Sequence, residues 1–303
     1  MIPMVICKEN SKGASSVLNY PKQPIYLIMS ARYMKISNIF SRRNRILLRE
    51  LVVTDFKLRY QGSALGYLWS LLKPLFLFAI LYVVFDQFLR LGRDVEHFPV
   101  YLLLGVVLWS FFTEATTNGL QSIINRGALI RKINFPKYII VISGTISSLI
   151  NLGLNLIVVF IFLLIAGIPV GIEGLLIFPL IAELYIFALG IAFFLAALNV
   201  KYRDTGHLWE IFLQAAFYAT PILYPLQMVI SESASTATVL LLNPVAQVVQ
   251  DIRYVLVTQK DAITVWNYVG GWKVFIPFII VVIVTLVAAL YFKRHSRRFA
   301  EEI

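Results

Sequence analysis

Residues 138–166 read YIIVISGTISSLINLGLNLIVVFIFLLIA and contain no charged side chain. A helix rises about 1.5 Å per residue, so about 20 apolar residues cross the roughly 30 Å hydrocarbon core of a bilayer. These 29 residues therefore predict a transmembrane helix that is long enough to tilt or to project beyond the bilayer.

The composition of the whole chain agrees with this interpretation. Of the 303 residues, 59% are apolar and 14% are charged, against about 45–50% and about 25% in soluble domains. These fractions exclude disordered, collagen-like and coiled-coil chains. Five more stretches qualify as spans, which predicts a polytopic membrane protein with spans at 66–89, 99–118, 138–166, 175–200, 208–224 and 273–292.

The lysines and arginines indicate which side of the membrane each loop faces. Cytoplasmic segments carry an excess of these residues, and the six-span topology places 22 of the 27 on the cytoplasmic side. The apolar segment 239–258 contains Pro244, Asp251 and Arg253 and would separate the two termini if it spanned, so we interpret it as re-entrant or interfacial. We expect an all-α fold with six transmembrane helices, this re-entrant segment between the fifth and the sixth, and both termini in the cytoplasm.

The regions outside the spans complete the predicted organisation. We predict a cytoplasmic N-terminal extension at 1–44, an amphipathic interfacial helix at 45–66, a transmembrane domain at 67–292 and a basic cytoplasmic tail at 293–303. A helix that is merely solvated is the alternative for 45–66. The first thirty residues contain no long apolar run, so no cleavable signal peptide is expected.

Several chemistries lack the residues that they need. The single cysteine, Cys7, excludes an internal disulfide and a cysteine-based zinc site. The motifs G-x-x-x-x-G-K-[ST], G-x-S-x-G and H-E-x-x-H do not occur, so we expect no nucleotide site, no catalytic residue, no cofactor and no metal in this chain. The net charge of +11 is explained by the cytoplasmic loops, and nucleic acid is not an expected partner.

Five short stretches carry a resemblance to a known family. They read KLRYQGSALGYLWSLLKP at 57–74, INRGALIRKINFPKY at 124–138, NVKYRDTGHLWE at 199–210, ATPILYPLQMV at 219–229 and LLNPVAQVVQDIRYVLV at 241–257. Their order and topological places resemble the permeases of type-2 ABC exporters that move O-antigen, capsular polysaccharide and teichoic acid. The resemblance covers roughly residues 45–292.

The resemblance implies a transporter subunit rather than an enzyme. Two copies of this chain would form the membrane core in the lipids of the bacterial inner membrane, and two copies of a separate ATP-binding subunit would hold ATP and Mg. The substrate would be an undecaprenyl-linked polysaccharide, with O-antigen favoured. The segment 124–138 would dock on the ATP-binding subunit through Arg126, Leu129, Ile130, Arg131, Lys132, Phe135 and Pro136, and the second cytoplasmic loop would add Lys201, Arg203 and Asp204.

Aromatic and basic residues mark an expected path for the substrate. The lipid-linked glycan would enter near the interfacial helix and would contact Arg59, Tyr67, Trp69, Lys73, Trp109 and Tyr218. Interfacial belts and lipid-facing packing are the competing explanation for such aromatic residues. Glu183 lies deep in the fourth predicted span with no Lys or Arg at its depth, so we interpret it as a structural or path-lining polar group, while Glu114 lies near a predicted span end.

Other functions stay open at this stage. A secondary transporter or channel would show an inverted repeat and coupling acids near the midplane, which are not evident. A membrane-bound transferase acting on lipid-linked sugars would need acids or histidines clustered in one loop. Within the exporter class, capsular polysaccharide and teichoic acid are the alternatives to O-antigen.

Overall fold

The computed structural model describes residues 41–60, 65–66, 68–92 and 95–302, and these residues form helices and no strand. The all-α prediction is confirmed for them. The helices are α1 (Arg42–Tyr60), α2 (Leu68–Tyr82), α3 (Phe98–Asn125), α4 (Gly127–Lys132), α5 (Tyr138–Ile165), α6 (Ile177–Lys201), α7 (Thr205–Ala219), α8 (Leu226–Glu232), α9 (Ala234–Leu241), α10 (Pro244–Leu256), α11 (Val265–Tyr268), α12 (Ile276–His295) and α13 (Phe299–Glu302).

Five helical stretches in the described ranges are long and apolar enough to cross a membrane. They extend α2 with a π-helical end, and α6 and α12 with short 3₁₀ turns at their starts. Each one overlaps a predicted span, so the polytopic membrane fold is confirmed. The stretches are Leu68–Phe88, Phe98–Asn125, Tyr138–Ile165, Ile172–Lys201 and Gly271–His295.

The predicted fifth span, 208–224, differs from the others. Helix α7 covers Thr205–Ala219, and its 15 residues extend only about 22 Å. The helix ends there because Thr220, with φ −90° and ψ 139°, precedes Pro221, and a residue before proline avoids the helical region. The predicted end at 224 is therefore wrong, and the total of six spans stays a prediction.

Helix α3 is the centre of the bundle. It packs against α2, α5, α6, α7 and α10, and most of its side chains are buried. Close approach requires a small residue, and a Cβ added at Gly119 would overlap the side chain of Ala192 on α6. By contrast, few residues of α2 and α12 are buried, and both helices carry exposed large apolar side chains, as expected of helices that face lipid or another subunit.

The segment 239–258 contains no continuous span. It holds the end of α9 and the 13-residue helix α10, and the break between them is capped by the Asn243 side chain, whose Oδ1 accepts from the Val245 N–H at 3.0 Å. Helix α10 packs against α3, α6 and α12 and is buried along nearly its whole length. This placement agrees with the prediction that the segment does not cross the membrane by itself.

The two ends of the predicted organisation also differ in detail. The segment predicted as an interfacial helix, 45–66, overlaps α1, which runs from Arg42 to Tyr60, and its place at the membrane surface stays a prediction. The predicted extension 1–44 lies outside the described residues except for its last four. The tail predicted at 293–303 begins inside α12, which continues to His295, and it includes α13.

Candidate coupling and substrate-entry site

The predicted coupling segment, residues 124–138, folds as a tight connection between two long helices. Helix α3 ends at Asn125, the six-residue helix α4 follows, and α5 begins at Tyr138 after Pro136. Several side chains of this connection are exposed, among them two of the basic residues predicted to dock on a partner. The exposed residues are Ala128, Arg131, Lys132, Ile133 and Asn134.

Two of the predicted docking residues point inward. Ile130 and Phe135 are only 6% and 7% exposed, and Leu129 is half-buried against the same interior. They hold the segment to its own chain. The exposed large apolar residue of the segment is Ile133, which is 52% exposed because α4 ends at Lys132 and Ile133 adopts an extended conformation (φ −129°, ψ 131°).

Polar contacts tie helix α1 to both ends of the coupling segment. Arg126 forms an ion pair with Asp55 of α1, and its Nη1 donates to Ser143 Oγ on α5 at 3.4 Å. Arg43, also on α1, donates from Nη2 to the carbonyl oxygen of Asn134 at 3.1 Å. Arg126, which we predicted to contact a partner, is therefore engaged within its own chain.

An apolar group lies behind these contacts and is called the cytoplasmic cluster, because the predicted topology places it on that side. It joins α1, α3, α4, α5, α6, α12 and α13. Phe299 of α13 is fully buried in it, with its ring centroid 5.4 Å from that of Phe292, so the predicted tail is packed in part rather than solvated. The members are Leu51, Ile123, Ile130, Phe135, Ile139, Ile140, Val141, Ala192, Ala196, Ala197, Val200, Phe292 and Phe299.

The second cytoplasmic loop is a short turn between α6 and α7. Lys201, Arg203 and Asp204 are all exposed, and the Lys201 ammonium lies 5.0 Å from the centre of the Tyr202 ring. The buried Asn199 side chain donates to the Leu120 carbonyl at 3.2 Å, which fastens the end of α6 to α3. The three predicted residues are thus exposed on a loop whose start is held to α3.

The predicted path residues fall into three groups. Trp69 and Tyr218 are 46% and 67% exposed, and Lys73 is exposed on α2. Trp109 is instead 7% exposed and packs against Phe112 and Phe217 with centroid distances of 5.6 and 5.9 Å, so it lies inside the bundle, and its role on the path stays a prediction. Tyr67 and the side chain of Arg59 lie outside the described residues.

A buried arginine that the sequence analysis did not select organises the predicted outer side. The guanidinium of Arg253 on α10 is fully buried and donates to the carbonyl oxygens of Tyr101, Pro221 and Ile222 at 3.0, 2.7 and 2.8 Å. It also lies 3.6 Å from the centre of the Tyr101 ring. Gly105 leaves room for it, since an added Cβ would overlap Nη2. Arg253 therefore joins α3, α10 and the turn after α7.

Acids within the bundle have polar neighbours. Because α3 continues to Asn125, Glu114 lies well inside this helix rather than near its end, and its Oε1 accepts from Asn151 of α5 at 2.8 Å. The neighbouring Asn118 donates to Ser148 Oγ at 2.8 Å. Such contacts hold helices together in an apolar medium. Glu183 of α6 faces Gln247 and Asp251 of α10.

Comparison with known proteins assigns the chain to a family. Residues 46–257 match the family model described as ABC-2 type transporter, and this range is more than half of the chain. The chain belongs to the ABC-2 type transporter family.

Two relatives of this ABC-2 transporter chain extend the match. It is 30% identical over 264 residues to the O-antigen export system permease protein RfbA of Myxococcus xanthus, which covers 86% of this chain and 96% of that protein. It is 28% identical over 259 residues to a protein of the same name from Klebsiella pneumoniae, which covers 84% and 94%.

The matched range of the ABC-2 transporter contains all five motif stretches. It begins in α1 and ends just after α10, so it includes the coupling segment, the second cytoplasmic loop and Arg253. The predicted resemblance to a type-2 ABC permease is therefore confirmed. The sequence carried one signal that could have selected Arg253. An arginine within a largely apolar segment needs oxygen acceptors from neighbouring parts of the chain.

Proposed function

We propose that this chain is the membrane-spanning subunit of an ATP-driven exporter that moves undecaprenyl-linked O-antigen to the outer side of the inner membrane. The names of relatives that align with most of the chain support this substrate. The single observation that carries the mechanism is the link between α1 and the coupling segment through Asp55–Arg126 and Arg43–Asn134.

The link suggests how work done by a partner reaches the substrate. An ATP-binding subunit would dock on the exposed Arg131, Lys132 and Ile133, and ATP with Mg bound to that subunit would supply the energy. Movement of the coupling segment would then pull on α1, because the ion pair and the hydrogen bond connect them. Helix α1 precedes the entry residues Trp69 and Lys73, so its displacement would open the entry to a lipid-linked glycan.

The exposed apolar faces support a second copy of this chain as a partner. Phe76 and Ile80 on α2 are 57% and 63% exposed, and Leu208 and Ile211 on α7 are 68% and 64% exposed. Exposed Trp69 and Tyr218 lie on the same two helices. Two copies that meet along α2 and α7 would enclose a channel, with two ATP-binding subunits below and both termini of each chain in the cytoplasm.

The test is the removal of the gene from its own bacterium. We expect the lipopolysaccharide to lose its O-antigen and the undecaprenyl-linked glycan to accumulate on the inner face, as measured by gel electrophoresis and by analysis of extracted lipids. A wild-type copy should restore export. Loss of capsule instead would identify capsular polysaccharide as the substrate of the exporter. Unchanged surface polysaccharide would contradict the proposal.

A further inference from the structure

The start of helix α2 lies between two interruptions of regular backbone. Gly66, shortly before it, has a φ of 48°, in the left-handed region that glycine adopts most readily. Pro74 lies inside the helix. Because proline has no N–H, it cannot donate to the carbonyl group four residues earlier, which belongs to Ser70. Residues 68–73, here called the entry segment, therefore lack one of the backbone bonds that join consecutive turns of a helix.

A side chain of another helix donates to this carbonyl group. The Nδ2 group of Asn155 on α5 donates to the Ser70 carbonyl oxygen at 3.2 Å. The same Nδ2 group donates to the Asn151 carbonyl oxygen within α5 at 2.8 Å, so the two hydrogens of the amide have separate acceptors. Asn155 is buried, and the bond to its own helix orients the amide towards α2. Asn155 thus supplies from α5 a bond of the kind that Pro74 cannot supply within α2.

The second half of α2 is held to α5 by a different kind of contact. Phe78 is buried, and its ring packs edge-on against that of Phe162 on α5, with the ring centroids 6.0 Å apart. This contact is apolar and does not involve Asn155. In the entry segment, by contrast, the large side chain of Trp69 is 46% exposed and does not anchor the helix in the same way. The position of the entry segment therefore depends more strongly on a single polar bond.

We propose that Asn155 is a positioning residue that holds the entry segment, and with it Trp69 and Lys73, against α5. Helix α5 begins at Tyr138, at the end of the coupling segment, and Asn155 lies about 25 Å along it. A displacement of the coupling segment would therefore reach the entry segment through one continuous helix, in addition to the route through α1. The role in substrate entry rests on the proposed function, whereas the bond from Asn155 to α2 does not.

A bond that compensates for Pro74 can be distinguished from one that merely stabilises the bundle. In Pro74→Ala the residue at position 74 regains an N–H that can donate to Ser70, so Asn155 should become dispensable. Asn151 offers the matched control, because it is a buried asparagine one turn earlier on α5. Its Nδ2 donates to Glu114 Oε1 on α3 at 2.8 Å and not to α2, so Pro74→Ala cannot compensate for its loss.

The experiment measures the mobility of a spin label on the purified full-length chain carrying Cys7→Ser. The label is attached through Leu68→Cys in the entry segment or through Ile80→Cys in the second half of α2, both of which are exposed positions. With Asn155→Ala we expect the spectrum from position 68 to sharpen and the spectrum from position 80 to stay the same. Adding Pro74→Ala should broaden the spectrum from position 68 again. Asn151→Ala should leave both spectra unchanged.

In cells, Asn155→Ala should lower polysaccharide export at an unchanged amount of inserted protein, and Pro74→Ala should restore export in that variant. Unchanged export with a mobile entry segment would overturn the role in entry. If Asn155→Ala alone cannot be purified, its recovery by Pro74→Ala supports the proposal and its continued failure contradicts it.

The positioning role itself is overturned by an unchanged spectrum from position 68 in Asn155→Ala, or by sharpening that is equal at positions 68 and 80. It is also overturned if Pro74→Ala does not reverse the change at position 68. The spectra require neither a glycan nor the ATP-binding subunit. They therefore decide whether Asn155 holds the entry segment even if removal of the gene leaves surface polysaccharide unchanged, a result that contradicts the proposed function alone.

Discussion

Replacing Arg253 with Met should be among the most damaging single changes in this chain. Met fills a similar volume but donates no hydrogen bond, so the carbonyl oxygens of Tyr101, Pro221 and Ile222 lose their donor. Each unsatisfied buried carbonyl costs about 1–3 kcal/mol. The loss is reduced because a guanidinium no longer has to be buried without a carboxylate partner. We expect the free energy of unfolding to fall by about 3–5 kcal/mol, which is the summed cost of the three carbonyl groups less this gain.

The assay compares the purified variant with the wild type by heating in detergent and measuring the fraction that stays monodisperse. Arg90→Met is the matched control, since Arg90 is an exposed arginine whose replacement should change little. Gly105→Ala should act like Arg253→Met, because the added methyl group displaces the guanidinium. Combining the two should cost less than their sum, since both remove the same contacts. An Arg253→Met chain as heat-stable as Arg90→Met would refute the reasoning.

Three further predictions concern the cytoplasmic side. Reversing the charge of Asp55 or of Arg126 should lower polysaccharide export, and reversing both should restore it, while failure of this rescue would argue against the ion pair as a link. Ile133→Ala should reduce co-purification of the ATP-binding subunit and leave the heat stability unchanged. Ile130→Ala should instead lower the free energy of unfolding by about 2–4 kcal/mol, because it leaves a cavity. A loss of heat stability in Ile133→Ala with none in Ile130→Ala would contradict Ile133 as the docking residue. A cysteine at Asn134, in a chain whose native cysteine is replaced, should react with an impermeant label only from the cytoplasmic face, and labelling from outside would overturn the topology.

Hydropathy predicted the membrane helices well, because the length and apolar character that a span needs depend little on how the helices pack. A span such as Tyr138–Ile165 needs only length and apolar character, and both are visible in the sequence. Helix ends depend on local chemistry instead. The Thr220–Pro221 step stops α7 inside an apolar run, and hydropathy alone does not register a proline at that place.

The candidate site was predicted at the level of motifs and less well at the level of side chains. The coupling segment was located, but Ile130 and Ile133 are equally apolar, and only the end of α4 decides which of them faces outward. The burial of Trp109 could not be predicted for a similar reason, since the sequence of a helix that is apolar on all sides does not indicate which face is buried. Arg253 could not be placed from sequence because its acceptors come from α3 and from the turn after α7.

The cytoplasmic cluster has a consequence for the order in which the protein is assembled. Leu51 comes from the first described helix and Phe299 from the last. The cluster therefore brings together residues that are separated by nearly the entire described chain. Loops of this length are slow to close, and the apolar surfaces that await their partner stay open to chaperones and proteases. Helix α1 can pack on α5 as soon as α5 has been made, because α5 is its main neighbour, but the cluster is complete only when Phe292 and Phe299 arrive with α12 and α13. A chain arrested before α12 would leave the apolar side chains that pack against these two rings uncovered, which would distinguish unfinished copies from finished ones for cellular quality control.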